Sequence, residues 1–309
     1  MRFSSTLSAF VASLSLVAGW PDQIRSYPGT QRGEDIDILT PQVSTTKPQE
    51  WVDSLTRFHN RDYRSSYGSE AGDWLLQKIK DVTKPNLSIK TKVFKHTYNQ
   101  PSFIVRIPAK PRDGKISERI VVASTYYDST AGNKDARAPG AVDNASTVAA
   151  LLEALRVLSQ AKYEAQNNIE FHFYGGSKGG RLGSKDVMAK YIEEKKDIIA
   201  FLHQAKIGYS RTDEINVYND FSDPALVKYI TEIAAKYAGK VFSYGYCGMR
   251  CNDHVSAHEK GYPAAYVTGE LFSRGYFDTP GDTFAEVDFD AVKRHARFTI
   301  AYLAEAGNF

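Results

Sequence analysis

The chain of 309 residues carries only two cysteines, three tryptophans and three methionines, and its 39 basic and 36 acidic side chains leave a net charge of +3. Two cysteines exclude a small scaffold held by many disulfides. A charge so near balance, with lysines and arginines dispersed along the chain, excludes a nucleic-acid partner gripped by a basic patch. No internal repeat is present, which removes solenoids and propellers. Beyond the first 20 residues no stretch approaches the roughly 18 apolar residues needed to cross a bilayer, so no membrane span is expected. What remains is an ordinary globular composition, 42% hydrophobic and 24% charged, with length enough for one large α/β domain.

The opening "MRFSSTLSAFVASLSLVAGW" has one early arginine, then a run of small and apolar residues with a small-residue exit near Ala18 and Gly19. It reads as a signal peptide over residues 1–19, so the mature chain is expected to be secreted and extracellular. In an oxidising compartment Cys247 and Cys251 of "CGMRC" are read as one local disulfide in preference to half of a zinc site, which needs two further ligands. Asn86 in "NLS" and Asn144 in "NAS" are glycosylation sequons. Residues 20–48 are polar and contain several prolines, as in a linker or short pro-segment, and order is expected from near Trp51 in a domain covering 49–309.

From there the pattern alternates. Helical spacing from Ser69 (Trp74, Leu75, Ile79, Val82) stops before Pro85, and "FIVRI" and "RIVVAST" are β-branched runs. A stripe of Val148, Leu151, Leu152, Leu155 and Leu158 predicts a helix against a sheet, and "IEFHFY" a buried strand. Further helices are expected from Ser184 to about Lys195, Ser222 to Tyr237 and Phe289 to Leu303, with strands at Ile199 to Ala205, Ile215 to Tyr218 and "YPAAYVT". Strands alternating with helices of this length predict a mostly parallel sheet covered on both faces, with functional groups at the carboxyl ends of its strands. The loops 129–144, 175–183 and 247–257 would converge there.

Gly175, Ser177 and Gly179 in "FHFYGGSKGGRLGS" spell G-x-S-x-G between a strand and a helix, the setting of a nucleophile elbow. A glycine-rich turn that happens to hold a serine is the competing reading. A serine hydrolase built on Ser177 would need His254 or His258 as base and an aspartate such as Asp253 to orient it, and neighbours as close as Asp253 and His254 rarely aim at each other. His172 and His203 read as core residues, while His59, His96, His258 and His295 show no partner pattern.

Three stretches, "APGAVDNAST", "IEFHFYGGSKGGRLGS" and "CGMRCNDHVSAHEKGYPAA", resemble in order and spacing the secreted leucine aminopeptidases, a family of di-zinc exopeptidases. The likeness runs from about Trp51 to the C-terminus. It implies a three-layer helix–sheet–helix sandwich around a mixed, mostly parallel sheet. It also implies a site in which two zinc ions polarise a peptide carbonyl and ionise a bridging water. Matched residue by residue, that site is broken. Tyr126 stands where the first histidine ligand would be, with Asp128 in the position that orients it. Asp143 matches the bridging aspartate. Ser177 and Lys178 occupy the places of the general-base glutamate and the glutamate ligand, and Ala205 that of an aspartate ligand. His254 matches the last ligand, and Asp278 falls near a substrate-positioning histidine.

Two of five ligand positions, Asp143 and His254, therefore survive, and the general base is gone. No cofactor is expected where the family would hold two zinc ions. An ammonium at Lys178 would repel any metal held by the other two and is expected instead to neutralise Asp143, and Asp128 with it. The same likeness extends to single-zinc glutaminyl cyclases, whose aspartate, glutamate and histidine would match Asp143, Lys178 and His254, and Lys178 excludes that form. The expectation is a monomeric, catalytically silent relative that binds peptide N-termini or an active homologue; a repurposed peptide hydrolase with an atypical site is the alternative.

Overall fold

The computed structural model describes residues 26–209, 213–244, 252–269 and 275–309. The expected signal peptide (1–19) and the Cys247–Cys251 pair lie outside the described residues. Eight strands form one sheet: β1 (Lys90–Phe94), β2 (Ser102–Ile107), β3 (Arg119–Tyr126), β4 (Asn168–Tyr174), β5 (Asp197–Ala205), β6 (Glu214–Tyr218), β7 (Lys240–Tyr244) and β8 (Ala264–Thr268). Their order is β1-β2-β4-β3-β5-β8-β6-β7. The β3–β4, β3–β5, β5–β8 and β6–β7 pairings are parallel, while β1–β2, β2–β4 and β6–β8 are antiparallel, so the sheet is mixed and mostly parallel as expected.

The central strands are apolar on both faces because helices cover both. Every residue of β4 is buried, as are seven of the eight in β3. One face carries α2 (Thr46–Arg57), α3 (Ser66–Thr83), α4 (Ser146–Gln160), α6 (Pro224–Tyr237) and α8 (Phe289–Ala306), whose apolar stripes join β2, β3 and β4 in the larger core. The other face is covered by α5 (Leu182–Glu193) and the short α7 (His254–His258), which close a smaller core around Tyr126, Tyr174, Met188, Phe201 and Tyr266. Among the described residues no helix is long and apolar enough to cross a membrane.

The N-terminal segment departs from expectation. Residues 33–48, read as linker or pro-segment, carry α1 (Gly33–Leu39), a 3₁₀ turn and the start of α2, and Ile36, Leu39 and Val43 are buried in the larger core. Two carboxylates hold the segment: Glu305 accepts from the backbone N–H of Gln31 (2.8 Å) and Arg32 (3.0 Å), and Glu153 from that of Ser44 (2.7 Å). Composition hid this because the segment anchors through its backbone and a few spaced apolar residues. The first glycosylation sequon is mostly enclosed, with Asn86 8% exposed. Asn144 is a clear correction. It is fully buried, and its side-chain nitrogen donates to Thr125 Oγ1 and the Tyr126 carbonyl, so the folded chain has no room for a glycan there.

Candidate functional site

The site forms where the carboxyl ends of β3, β4 and β5 meet the N-terminal end of α4. Strand β3 delivers Tyr126 and, just beyond it, Asp128; β4 runs into the turn with Ser177 and Lys178; β5 ends at Ala205 and hands over to Lys206. Asp143 lies in the turn before α4, entered through Gly140 at φ +55°, where a side chain would also collide with the Asp143 carbonyl and Arg61. Arg61, fully buried, ties this loop down by donating to the carbonyls of Leu55, Tyr127, Pro139 and Gly140. Asp282 completes the frame by accepting from the backbone N–H of Val142 and Asp143.

Asp143 is the hub. Lys178 Nζ lies 2.7 Å from its Oδ2, Lys206 Nζ lies 3.5 Å from the same oxygen, and the Tyr126 hydroxyl donates to Oδ1 at 2.5 Å. Burial alone would raise the Asp143 carboxyl, but the two ammoniums outweigh it and hold the group well below the usual carboxylate range. Conversely, burial would lower the Lys178 ammonium, and Asp143 with Asp278 raises it above the ordinary lysine value. Lys178 also meets Asp278 at 2.8 Å, so Asp278 is indeed at the site, as an ion-pair partner. The sequence reading assigned the countercharge to Lys178 and passed over Lys206, although a basic residue directly after the vacated strand-end position Ala205 was a visible signal.

Asp128 lies at the turn of Lys178 without taking its ammonium. Its oxygens accept the backbone N–H of Ser177 (3.0 Å) and Lys178 (2.7 Å), and burial pushes it up to about 7. The Ser177 hydroxyl donates to Asp253 Oδ2 at 2.7 Å, and Ser184 donates to the other Asp253 oxygen at 2.5 Å. His254 stacks on Tyr266 with ring centroids 5.1 Å apart, its Nε2 lies 3.4 Å from the Asp220 carbonyl, and its buried Nδ1 has no hydrogen-bond partner among the described residues. Ser177 thus has no imidazole base, which overturns the nucleophile-elbow arrangement with His254. Gly183 is required by packing, since a Cβ there would strike the Gly175 carbonyl.

A Ser–His–Asp chain does exist elsewhere, where sequence spacing gave no sign of it. His96 bridges Asp186 (2.7 Å) and Ser102 Oγ (2.8 Å), and Ser102 Oγ also accepts the Gly175 N–H at 3.1 Å. Ser102 is fully buried, so this chain braces the Gly175 turn instead of presenting a nucleophile. His172 and His203 are core residues as expected, the first between Glu170 and Tyr174, the second between Ser124 and Asn252.

Three buried histidines and the half-buried His96 make folding pH-dependent. Burial holds His96, His203, His254 and His295 below the ordinary imidazole value, His203 and His295 at about 3. Asp128 and Asp282 go the other way, burial raising Asp282 to about 6. The histidines contribute stability that is lost as pH falls below their unfolded value; Asp128, Asp282 and Asp253, all raised by burial, offset part of that loss by holding protons in the folded state. The histidines outnumber the raised carboxyls, so unfolding is expected to take up protons and stability to fall as pH drops through and below the ordinary imidazole range. Urea midpoints measured from pH 7.5 to 4.5 check this; stability that is flat or rises on acidification contradicts it.

With the geometry in place, the fold can be classed: it is the α/β architecture of the aminopeptidases. The chain belongs to peptidase family M28, whose sequence pattern matches residues 104–303. It is 33% identical over 291 residues to leucine aminopeptidase 1 of Sclerotinia sclerotiorum, covering 88% of this chain and 74% of that protein. Among solved structures it resembles the LapA aminopeptidase of Legionella pneumophila (TM-score 0.85, 22% identity, 92% of this chain and 77% of that one). LapB of the same bacterium is also similar (TM-score 0.83, 24% identity, 91% and 76%).

The residues present do not fit the two zinc ions that the resemblance implies. Among the described residues no three His, Cys, Asp or Glu side chains are grouped to hold a metal. The oxygen of Asp143 that would face a cation already carries two ammoniums, and Tyr126 covers the other. A divalent ion there would meet two fixed positive charges in a largely dry site.

Proposed function

We propose that this chain is a silent member of its peptidase family, secreted, and kept for binding or regulation instead of peptide hydrolysis. In this reading Asp143 and His254 are leftover ligand positions, and Tyr126, Lys178 and Ala205 are vacated ones. Ser177 stands in the place of the general base, and Lys178 with Lys206 replaces the lost metal charge. The observation that carries it is the Lys178–Asp143 contact at 2.7 Å, an organic cation on the carboxylate that would bridge the metals. Activating a water for attack on an amide needs a base and a polarising charge that face the same carbonyl, and in this reading a serine holds the place of the base and lysines engaged with Asp143 hold that of the metals.

The alternative, a repurposed hydrolase, has one observation in its favour: Ser177 donates to Asp253, a carboxylate that burial has raised. A leucine amide assay on the purified protein, with its zinc content measured, separates the two. The silent reading expects zinc well below one ion per chain and no turnover. Turnover that survives chelation and vanishes in Ser177→Ala favours the repurposed hydrolase, and zinc-dependent turnover overturns both.

A further inference from the structure

The charged groups of the site are unequally satisfied, and the imbalance indicates what the site can receive. Asp143 has both oxygens occupied, by Tyr126 on one and the two lysines on the other. Asp128 and Asp282 each accept two backbone N–H groups, and Asp253 accepts two serine hydroxyls. The buried acids are therefore capped and leave little for an incoming ammonium.

The cations differ. Lys178 contacts two carboxylates, whereas Lys206, with its side chain 28% exposed, has one ion contact at 3.5 Å and the Phe277 ring 5.3 Å below it. Its Nζ makes no hydrogen bond among the described residues, so it keeps protons to donate. The second partner of Lys178, Asp278, is half exposed and sits at φ +57°. A surface loop has placed a carboxylate against the inward ammonium, which shows how a ligand carboxylate would dock.

We infer that the Lys178–Lys206 pair is a receptor for an organic carboxylate, such as the C-terminal end of a peptide, seated between the two ammoniums in competition with Asp278, and that it turns away free amino termini. The inference rests on the silent-site reading, because metal ions at Asp143 would displace both lysines. It also reverses the sequence expectation of N-terminus capture: an ammonium would enter beside two like charges in a partly desolvated site.

N-acetyl-leucine, which has a carboxylate and no ammonium, and leucinamide, which has the reverse, are the probes. Each is titrated into the full purified chain at pH 7 and low salt, with binding followed by calorimetry and zinc measured on the same sample. N-acetyl-leucine is expected to bind and leucinamide not; Lys206→Met should weaken the acid about tenfold, and Asp278→Asn should tighten it severalfold by removing the competitor. Acetate as a third probe tells a general small-acid site (equal affinity) from a peptide C-terminus site (N-acetyl-leucine tighter). Leucinamide binding as well as the acid, neither binding, or indifference to both substitutions overturns the inference. Stoichiometric zinc in the sample overturns the silent-site reading instead, so the two failures are distinguishable.

Discussion

Lys178→Met is expected to lower the unfolding free energy by about 3 kcal/mol, because it leaves a buried carboxylate without its shortest ionic partner. The Asp143 side chain has no exposure and that of Lys178 only 14%, so solvent cannot step in easily. The loss should lie at the low end of the range for a broken buried pair, since Lys206 and the Tyr126 hydroxyl still face Asp143. Adding Asp143→Asn to Lys178→Met should recover part of the loss, because the uncompensated charge goes with it, whereas Asp143→Asn alone should destabilise by leaving the enclosed ammonium only the half-exposed Asp278. Chemical denaturation of the four proteins makes a double-mutant cycle. A loss below about 0.5 kcal/mol for Lys178→Met, within the range of ordinary surface substitutions, would show that Asp143 does not depend on this lysine.

The second large effect concerns chemistry. The unaltered chain is expected to leave leucine amides intact in excess zinc, since loss of a general base alone commonly costs about 10² to 10⁴ in rate and the metal-holding side chains are missing as well. A revertant with Tyr126→His, Ser177→Glu, Lys178→Glu and Ala205→Asp should bind zinc and turn over in a chelator-sensitive way, provided Lys206→Met is included. Without that fifth change the Lys206 ammonium remains 3.5 Å from the carboxylate meant to bridge the metals. The four-fold variant compared with the five-fold one isolates the contribution of Lys206. Ordinary zinc-dependent rates in the unaltered chain would contradict the silent reading.

Much of this was legible in the chain because the strands are short apolar runs punctuated by turn residues, and α4 and α6 carry clean stripes. The edge strands β1 and β7 were not legible: "KTKVF" and "KVFSY" are short, half-polar and paired on one side only, so neither continuous burial nor a strict alternation marks them. Helix α1 was missed for a related reason, since "GEDIDIL" buries only Ile36 and Leu39. At the site, the positions that matched or broke a known pattern could be named from sequence. Contacts made across the fold could not, such as Asp282 on the backbone of Val142 and Asp143 or Asp186 on His96, because nothing local in the chain records which distant loop meets which.

The sharing of Asp143 between three partners has a consequence on the scale of descent. Lys178→Glu by itself would set a new carboxylate against Asp143 with only Lys206 to offset the pair, and Tyr126→His or Ala205→Asp by itself would alter a position whose companions cannot yet hold a metal. Each lone step toward the metal-binding arrangement that the family resemblance implies is expected to cost stability and to return no zinc. If the chain is silent as proposed, the pair of lysines on one carboxylate acts as a ratchet: zinc chemistry is then reachable only across a valley that simultaneous changes must cross.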